Sequence, residues 1–589
     1  MSTVMISSNS GFLTSHKNEK RTDFHTELFG ENVYIFSPSD DPIKVQAVLD
    51  QLHQQQEAAQ FEDNRYALMF LPGEYDESIS VDVEFYTQVL GLGELPTDTK
   101  ISALKTLARW QGRPDNHAAT CNFWRSVENI EITSNTTWAV SQATDMRRVQ
   151  IDGMLKLHDE YGWASGGFLA NSVVTSAIDS GSQQQWLSRN NSYKTWLDDN
   201  WNIVFMGDEQ DLAVTSTWPA KAYTTVDETP LVREKPFLFY DEEQGYCVYV
   251  PGYKEQSKGA CWQGEAYYPL PIEDFYVAKA DLDDAATINA ALASGKHLLL
   301  TPGIYEIDEP IEVVNPDTIV LGLGLATLRS KDGACCMVTS EAPGIMIAGV
   351  LFDAGQMESD DLLVVGDKAL TWEGSSLIDE SLKDETLKSR PICLSDVYFR
   401  VGGCDTSLPT KTKCCVTVNA DYTIGDNLWV WRADHGDQVA WDKNTAANGI
   451  IINGDHVKMY ALMVEHFQEY QTVWNGNDGT LVMYQSEIPY DVPVQEVWMS
   501  HNGQRPGYSS IYVDENVDTF SATALGIYLY NRDATIRLES AMEMPRTDNT
   551  HVHNIITVML TGNPGMVHII NDDGDAVLTP GATAILKDY

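Results

Sequence analysis

The 589-residue chain lacks any run of 18 or more apolar residues, so no segment is predicted to cross a membrane as a helix. Its first thirty residues contain no apolar stretch long enough for a signal peptide. Basic residues are scarce, since 39 Lys and Arg stand against 85 Asp and Glu and give a net charge of −46. The negative electrostatic field of such a protein disfavours nucleic acid, anionic membranes and polyanionic glycans as partners, and it favours a neutral or cationic ligand. A solvation shell suited to salty surroundings explains the charge equally well.

Motifs for metals and cofactors are also missing. The nine cysteines are irregularly spaced and form no CxxC pattern, so we interpret most of them as small buried hydrophobic residues. HExxH, GxSxG and phosphate-binding loops are absent, and Gly91-Leu-Gly93 is a turn beside a strand with no dinucleotide-binding context. The sequence therefore predicts no metal and no cofactor. We expect a monomer, while disulfides and the source compartment stay open.

An internal duplication organises the chain. The copies are Ala67–Tyr75 with His297–Tyr305, and Tyr86–Gly93 with Asp317–Gly324. Their offsets are 230 (302 − 72) and 231 (320 − 89) residues, which is too regular for chance matches. Each copy follows an amphipathic helical pattern, at 42–55 and at 284–293, and each helix is expected to cap the open end of a solenoid.

Short apolar triplets separated by turn residues fill the rest of the chain and predict many short strands. We predict an all-β protein of two tandem right-handed parallel β-helices, similar to pectate lyases. The first spans residues 1–201 and the second spans 276–589. Residues 202–275 contain six prolines and hairpin-like runs at 237–240 and 246–250, so they are interpreted as a linker module between the two β-helices.

The most informative stretch is 428–490, where Glu465 and Glu487 lie 22 residues apart (487 − 465) among tryptophans and tyrosines. A β-helix coil of about that length returns to the same face, and successive coils stack roughly 4.8 Å apart. The spacing therefore predicts two neighbouring carboxyls in an aromatic groove. Glycoside hydrolysis uses such a pair, because an acid must protonate the leaving oxygen and a second group must activate or position water. Burial and a neighbouring carboxylate would both raise the pKa of the acid.

These residues and others resemble glycoside hydrolase family 55, the exo-acting β-1,3-glucanases. The matching stretches occur in order along the chain and are 138–144, 184–190, 229–236, 396–403, 428–435, 448–452, 464–471 and 485–490. The resemblance implies paired β-helices and hydrolysis of a laminarin-like β-1,3-glucan from the chain end, with inversion and release of glucose. Two departures indicate a divergent branch. A GAKGDG-like run is missing, and Phe467 stands where the family often has a second His.

The resemblance also implies roles for individual residues. Glu487 is the expected general acid, and Glu465 is the partner that holds its pKa up and helps to orient water. Gln142, Ser165 and Gln185 are spaced 23 and 20 residues apart and would hold the nucleophilic water. A polar ladder that only satisfies backbone groups explains this row about as well. Gln184 would point to the opposite face of a strand from Gln185, so Gln185 is preferred.

Further residues are candidates for substrate binding, because sugar faces stack on aromatic rings and hydroxyl groups need polar partners. They are Trp431, Trp441, Trp474, Trp163, Trp186, Tyr490, Asp434 and His435. Core packing explains a given Trp about as often.

Two other classes of function stay open. A polysaccharide lyase on a β-helix would use Lys or Arg as base and a uronate substrate, which the charge of −46 disfavours. A non-catalytic glycan-binding β-helix would keep the aromatic groove without needing paired acids. Incubation with laminarin separates hydrolase, lyase and binder. A polysaccharide substrate also predicts an extracellular protein.

Overall fold

The computed structural model describes residues 20–108, 117–214, 216–372, 380–404, 407–562 and 564–589. The first 19 residues, which belong to the stretch without a signal-peptide pattern, lie outside this part. The described chain is almost entirely β-structure and forms two parallel β-helices, as predicted. No helix within the described ranges is long and apolar enough to cross a membrane.

The first β-helix is one sheet of 18 strands. These strands are Val33–Phe36, Tyr66–Phe70, Gly73–Glu74, Ser80–Asp82, Thr87–Gly91, Thr99–Ile101, Ala103–Thr106, Arg125–Ile132, Thr136–Trp138, Thr144–Ile151, Leu155–Lys156, Phe168–Ala170, Val173–Asp179, Gln185–Arg189, Ser192–Leu197, Asn202–Met206, Glu209–Gln210 and Tyr223–Val226. The sheet continues past the predicted boundary at residue 201, because Asn202–Met206 pairs in parallel with Gln185–Arg189 and then with Tyr223–Val226.

Two small antiparallel sheets follow in the linker module. Thr229–Arg233 pairs with Tyr253–Ser257, and Phe237–Asp241 pairs with Gly245–Pro251, which also pairs with Tyr267–Pro271. The hairpin predicted from the two apolar runs is thus confirmed. Its apolar side chains join a core cluster that contains residues of both β-helices, so the module lies between them as a shared core.

The second β-helix begins with a strand at Phe275. One ladder contains Phe275–Ala278, His297–Leu300, Ile319–Gly322, Met346–Ala348, Cys393–Val401, Ile424–Arg432, Lys458–Glu465, Gly479–Glu487, Phe520–Tyr530, Thr550–Thr561 and Thr583–Asp588. Another contains Ile311–Val313, Met337–Thr339, Leu363–Val365, Cys414–Val418, Asn448–Ile452, Thr472–Trp474, Ile511–Val513, Arg537–Glu543 and Gly565–Ile570. The remaining strands are Ile304–Ile307, Thr327–Ser330, Leu351–Asp353, Met499–Ser500 and Arg505–Pro506. Only Thr583–Asp588 pairs antiparallel within the main ladder.

Both duplicated segments begin with the predicted helix. Pro42–Gln56 starts after Asp41, and Ala285–Ala293 starts after Asp284; each aspartate accepts a hydrogen bond from a backbone N–H of the first turn. A third helix spans Glu380–Ser389. The first two helices bury their apolar faces in the core of their own β-helix.

The repeated glycines have a physical reason. A Cβ on Gly91 would lie 2.1 Å from the carbonyl oxygen of Asn129, and one on Gly322 would lie 2.3 Å from that of Gly349. In both copies the next coil therefore passes too close for any side chain. This close approach explains why the same residue recurs at the same place in each half.

The two β-helices are joined by buried ion pairs. Arg147 of the first donates to both carboxylate oxygens of Asp396 of the second at 2.8 Å and to Asp426 at 2.8 Å. Arg189 also donates to Asp426, at 2.8 and 3.1 Å, and it binds Glu234 of the linker module through two bonds. All five side chains are almost fully buried. This network fixes how the first β-helix faces the second.

Candidate active site

Three neighbouring coils of the second β-helix place the two glutamates. The strands Ile424–Arg432, Lys458–Glu465 and Gly479–Glu487 pair in parallel, and their register aligns Trp431 with Glu465 and Glu465 with Glu487. Tyr528 occupies the next rung. Val464 points into the core of the β-helix, so Glu465 points out of it, toward the first β-helix. The prediction from the 22-residue spacing is confirmed.

A cavity of about 270 Å³ lies where the two β-helices meet. Both halves contribute to its wall, and the aromatic rings are concentrated on the side of the second β-helix. The lining residues are Thr120, Cys121, Phe123, Gln142, Ser165, Gln184, Trp431, Asp434, His435, Glu465, His466, Glu487, Tyr490, Tyr530 and Leu560. We call this space the cleft.

Direct hydrogen bonds hold the two carboxyls. The amide nitrogen Nε2 of Gln142 donates to Glu465 Oε1 at 2.7 Å, across the boundary between the two β-helices. The Tyr490 hydroxyl donates to Glu487 Oε2, and Gln485 Nε2 donates to Glu487 Oε1 at 3.3 Å. One oxygen of each glutamate and one ring nitrogen of His466 lie within 4.8 Å of one another, so these three are the cleft residues that could share a cation.

Burial of the two glutamates favours their protonated forms. Burial, and secondly the charge of Glu487, hold the pKa of Glu465 well above its usual value. Burial is also the largest cause at Glu487; the Tyr490 hydrogen bond opposes it, the charge of Asp434 adds to it, and the pKa of Glu487 is raised to about 7. Sequence analysis assigned the supporting charge to Glu465. The like charge that acts on Glu487 is instead Asp434.

Asp434 and His435 form an ion pair beside the glutamates. His435 Nδ1 lies 2.8 Å from Asp434 Oδ1, and the pKa of His435 is raised to about 10 because the hydrogen bonds to Asp434 and Cys121 outweigh burial. Although burial opposes it, the hydrogen bond and the charge of His435 lower the pKa of Asp434. Burial lowers the pKa of His466 to about 4. At neutral pH the cleft thus contains an ionised Asp434, a cationic His435 and a neutral His466.

The polar row of the first β-helix differs from its prediction at one residue. Gln142 and Ser165 line the cleft, but Gln185 does not. The side chain of Gln185 is fully buried, and its amide nitrogen donates to the backbone carbonyl of Ser165. Gln184 lines the cleft instead. Gln184 precedes the strand that begins at Gln185, so the alternation of a strand does not fix the direction of its side chain. Within the strand Trp186 points into the core of the first β-helix, and Gln185 lies on the opposite face, covered by its neighbours.

Only some of the candidate substrate-binding residues line the cleft. Trp431 and Tyr490 line the cleft, as do Asp434 and His435. Trp474 and Trp186 do not, because both rings are fully buried in the cores of the second and first β-helix. They cannot be sugar platforms.

The other two tryptophans lie outside the cavity wall. Trp441 is half-buried, and the guanidinium of Arg432 lies 5.7 Å from its ring centre. Trp163 is exposed and stacks on Trp201 at 5.9 Å. Neither position places the ring at the glutamates.

Several cleft residues were missed from the sequence. His466 follows Glu465 directly and has a left-handed backbone (φ 69°), which turns its side chain back into the cleft. Thr120, Cys121 and Phe123 precede a strand in an irregular segment, where no periodicity marks them. Tyr530 and Leu560 come from later coils at the ends of long strands. Only His466 carried a usable signal, since it stands beside a candidate catalytic residue.

Comparisons with known proteins agree with this geometry. A family model described as the LAM55 pectate lyase-like domain matches residues 275–487. An exo-beta-1,3-glucanase of Streptomyces sp. (strain SirexAA-E / ActE) is 39% identical over 567 residues, which cover 94% of this chain and 88% of the relative. The solved structure of sacteLam55A from Streptomyces sp. SirexAA-E has a TM-score of 0.88 at 37% identity and covers 95% of this chain and 98% of that one. A variant of the same protein in complex with glucose has a TM-score of 0.87 at 36% identity, with the same coverage.

Proposed function

Because the chain belongs to glycoside hydrolase family 55 and is a glycoside hydrolase, we propose that it cleaves β-1,3-glucan from the chain end and releases glucose. One observation carries the proposal. Glu487, in a cleft between two β-helices, has a pKa raised to about 7 and lies beside a second glutamate. A carboxyl that keeps its proton near neutral pH is what protonation of a glycosidic oxygen requires.

Glu487 acts as the general acid. Its proton passes to the leaving oxygen as the bond to the anomeric carbon breaks. The Tyr490 hydroxyl then stabilises the carboxylate that remains, since it donates to Glu487 Oε2. His466 contributes a neutral ring beside it, with Nε2 3.7 Å from Glu487 Oε2.

The opposite wall supplies groups for the attacking water. Gln142, Ser165 and Gln184 of the first β-helix line the cleft, and Gln142 contacts Glu465 directly. We assign these residues the task of holding a water, and Glu465 the task of receiving its proton. Gln184 replaces Gln185 in this assignment because only Gln184 lines the cleft.

We further propose inversion at the anomeric carbon. Carboxyls on adjacent coils are closer than the roughly 6.5–9.5 Å of inverting pairs and nearer to the roughly 5–5.5 Å of retaining ones. An inverting reaction here therefore depends on the first-half row, which offers a water position away from the line between the two glutamates. NMR of the first product tests this directly. Released α-glucose supports inversion, and β-glucose as first product means that Glu465 is a nucleophile.

Action at the chain end is supported by the size of the cleft. A volume of about 270 Å³ is small for a ligand site and suits a terminal sugar better than a bound internal stretch. Laminarin digestion sampled early should give glucose without a series of longer oligosaccharides. Such a series would mean internal cleavage. A polymeric glucan is met outside cells, so we also propose that the protein works there.

The cleft also favours hydrolysis over a lyase reaction. No Lys or Arg occurs among the described residues that line it, and a lyase would need one as base. Laminarin incubation monitored for both reducing sugar and ultraviolet absorbance separates the two reactions, because only a lyase creates a conjugated double bond. Retention of laminarin without product would indicate a glycan-binding protein.

A further inference from the structure

A short segment of the second β-helix, residues 530–533, lies at the edge of the cleft, and we call it the strap. It begins with Tyr530, which lines the cleft and meets the ring of Tyr490 edge-on, with ring centres 4.8 Å apart. The backbone N–H of Asp533 donates to the carbonyl of Tyr490 at 3.2 Å. The strap therefore holds Tyr490, which donates to Glu487, through its ring and through its backbone.

Arg532 joins the strap to a distant segment of the same β-helix. Its Nη1 donates to the backbone carbonyl of Asp434 at 2.7 Å, across 98 residues of sequence, and lies 3.9 Å from Asp434 Oδ2. Its Nε and Nη2 donate to the two carboxylate oxygens of Asp533 at 2.7 and 3.1 Å. This paired contact fixes the plane of the guanidinium, so one edge is held within the strap and the other reaches Asp434.

Asp434 connects Arg532 with the expected acid. The carboxylate of Asp434 lines the cleft, with Oδ1 2.8 Å from His435 Nδ1 and 3.9 Å from His466 Nε2. Next to burial, the charge of Asp434 is the largest influence that raises the pKa of Glu487. The place and the charge of this carboxylate therefore bear directly on the proton of Glu487.

Arg532 supplies a constant positive charge next to Asp434, because a guanidinium stays charged across the pH range of an enzyme assay. The other ionisable side chains that influence Asp434 or Glu487 can all change their charge, and they are His435, His466, Glu465, Tyr490 and Tyr528. Among the described residues that line the cleft, the first β-helix contributes no Asp, Glu, His, Lys or Arg. The charge of Arg532 is thus a fixed part of the surroundings of the acid.

We propose that Arg532 is a positioning residue, which holds Asp434 so that its carboxylate faces Glu487 and the terminal sugar. The proposal rests on the proposed function, since Glu487 is taken as the acid. Arg532 does not line the cleft, so it acts through Asp434 and not by contact with the sugar. Its loss would free the backbone of Asp434 and remove the cation beside that carboxylate.

Replacement by Met tests this role, because Arg532→Met keeps a long side chain without charge or donors. The kcat on laminarin should fall roughly 10–100-fold, as expected when a group at the reacting centre is displaced by about 1 Å. The alkaline limb of kcat/KM should move to higher pH, because a positive charge that opposes protonation of Glu487 is gone. A merely structural role would lower activity without moving the limb. Arg537→Met, at an ion pair with Glu539 outside the cleft, is the matched control and should change neither.

Chemical rescue tests whether the guanidinium itself is needed. The side chain of Arg532 is partly exposed, so an added ion can reach its place. Millimolar guanidinium chloride should restore part of the activity of Arg532→Ala, whereas urea at the same concentration, which has the same shape but no charge, should not. Arg532→Lys should stay impaired, because one ammonium cannot make the paired bonds to Asp533 and the bond to Asp434 together.

An infrared titration gives a readout that needs no hydrolysis. The carbonyl band of the protonated Glu487 carboxyl is the band that Glu487→Gln lacks, and its midpoint should lie at higher pH in Arg532→Met than in the wild type. An unmoved midpoint and limb, or rescue by urea as strong as by guanidinium, would overturn the proposal. A moved midpoint in a protein that does not hydrolyse laminarin would keep the role of Arg532 and reject the proposed function.

Discussion

Replacement of Glu487 by Gln tests the proposed role of Glu487 as the general acid. Gln keeps the size of Glu and can still accept the hydrogen bond from Tyr490, but it has no proton to give. The other contacts of the cleft, including Gln142 with Glu465, are untouched. The change therefore removes general acid catalysis and leaves binding in place.

The usual contribution of general acid catalysis gives the size of the effect, and the pKa of Glu487 gives its pH dependence. General acid catalysis contributes about 10²–10⁴-fold, so kcat should fall by that factor, or roughly 3–5 kcal/mol. With a pKa of about 7, Glu487 is about 90% protonated at pH 6 and about 10% at pH 8. Wild-type activity should accordingly fall roughly ninefold between these two pH values. The activity lost on raising the pH belongs to the protonated acid, and the variant should lack this alkaline limb.

The assay is glucose release from laminarin across pH 5–9, with calorimetry of glucose binding as the measure of an intact site. Glu469→Gln is the matched control, because Glu469 is an exposed carboxyl of the same β-helix outside the cleft. Near-normal activity of Glu487→Gln would refute the assignment. Asp434 is ionised and cannot replace it as acid, so that result would point to Glu465, the other cleft carboxyl whose pKa is raised by burial.

Three other perturbations have defined outcomes. Tyr490→Phe removes the hydrogen bond that lowers the pKa of Glu487, so the alkaline limb of kcat/KM should move to higher pH; an unchanged limb would contradict the contact. Glu465→Gln should lower kcat on laminarin by about 10²-fold or more while the limb remains, since that limb belongs to Glu487. Arg189→Met leaves Asp426 and Glu234 short of a buried partner and should cost roughly 3–5 kcal/mol in the free energy of unfolding by urea. Arg546→Met, at an exposed ion pair, should cost little.

The predictions from sequence were most successful where they rested on the regular repeat of the β-helix coils. The 22-residue separation of Glu465 and Glu487 predicted their adjacency because one coil returns to the same rung. The duplicated segments that contain Gly91 and Gly322 predicted two β-helices, and the structure explains the repeat, because at each glycine the next coil passes too close for any side chain. Both inferences depend only on distances along a regular solenoid.

The sequence did not predict correctly which side chains face the cleft. Choosing between Gln184 and Gln185 required the residue at which the strand begins, because Gln184 precedes the strand and its side chain does not follow the strand's alternation. Trp474 and Trp186 look like sugar platforms in the sequence, yet alternation along their strands buries them in the cores. Cys121 and His435 are 314 residues apart and meet only because the two β-helices face each other.

Buried charges determine how the two β-helices are positioned relative to each other. Stacked coils repeat roughly every 4.8 Å, so apolar contacts between two β-helices would change little if one slid by a coil. The bonds of Arg147 to Asp396 and of Arg189 to Asp426, which join the two β-helices, do not repeat in this way. A slip of one coil would leave these charges buried without partners, at a cost of several kcal/mol each. The same contacts therefore bring Gln142 within 2.7 Å of Glu465, and the cleft depends on them although none of these charges lines it.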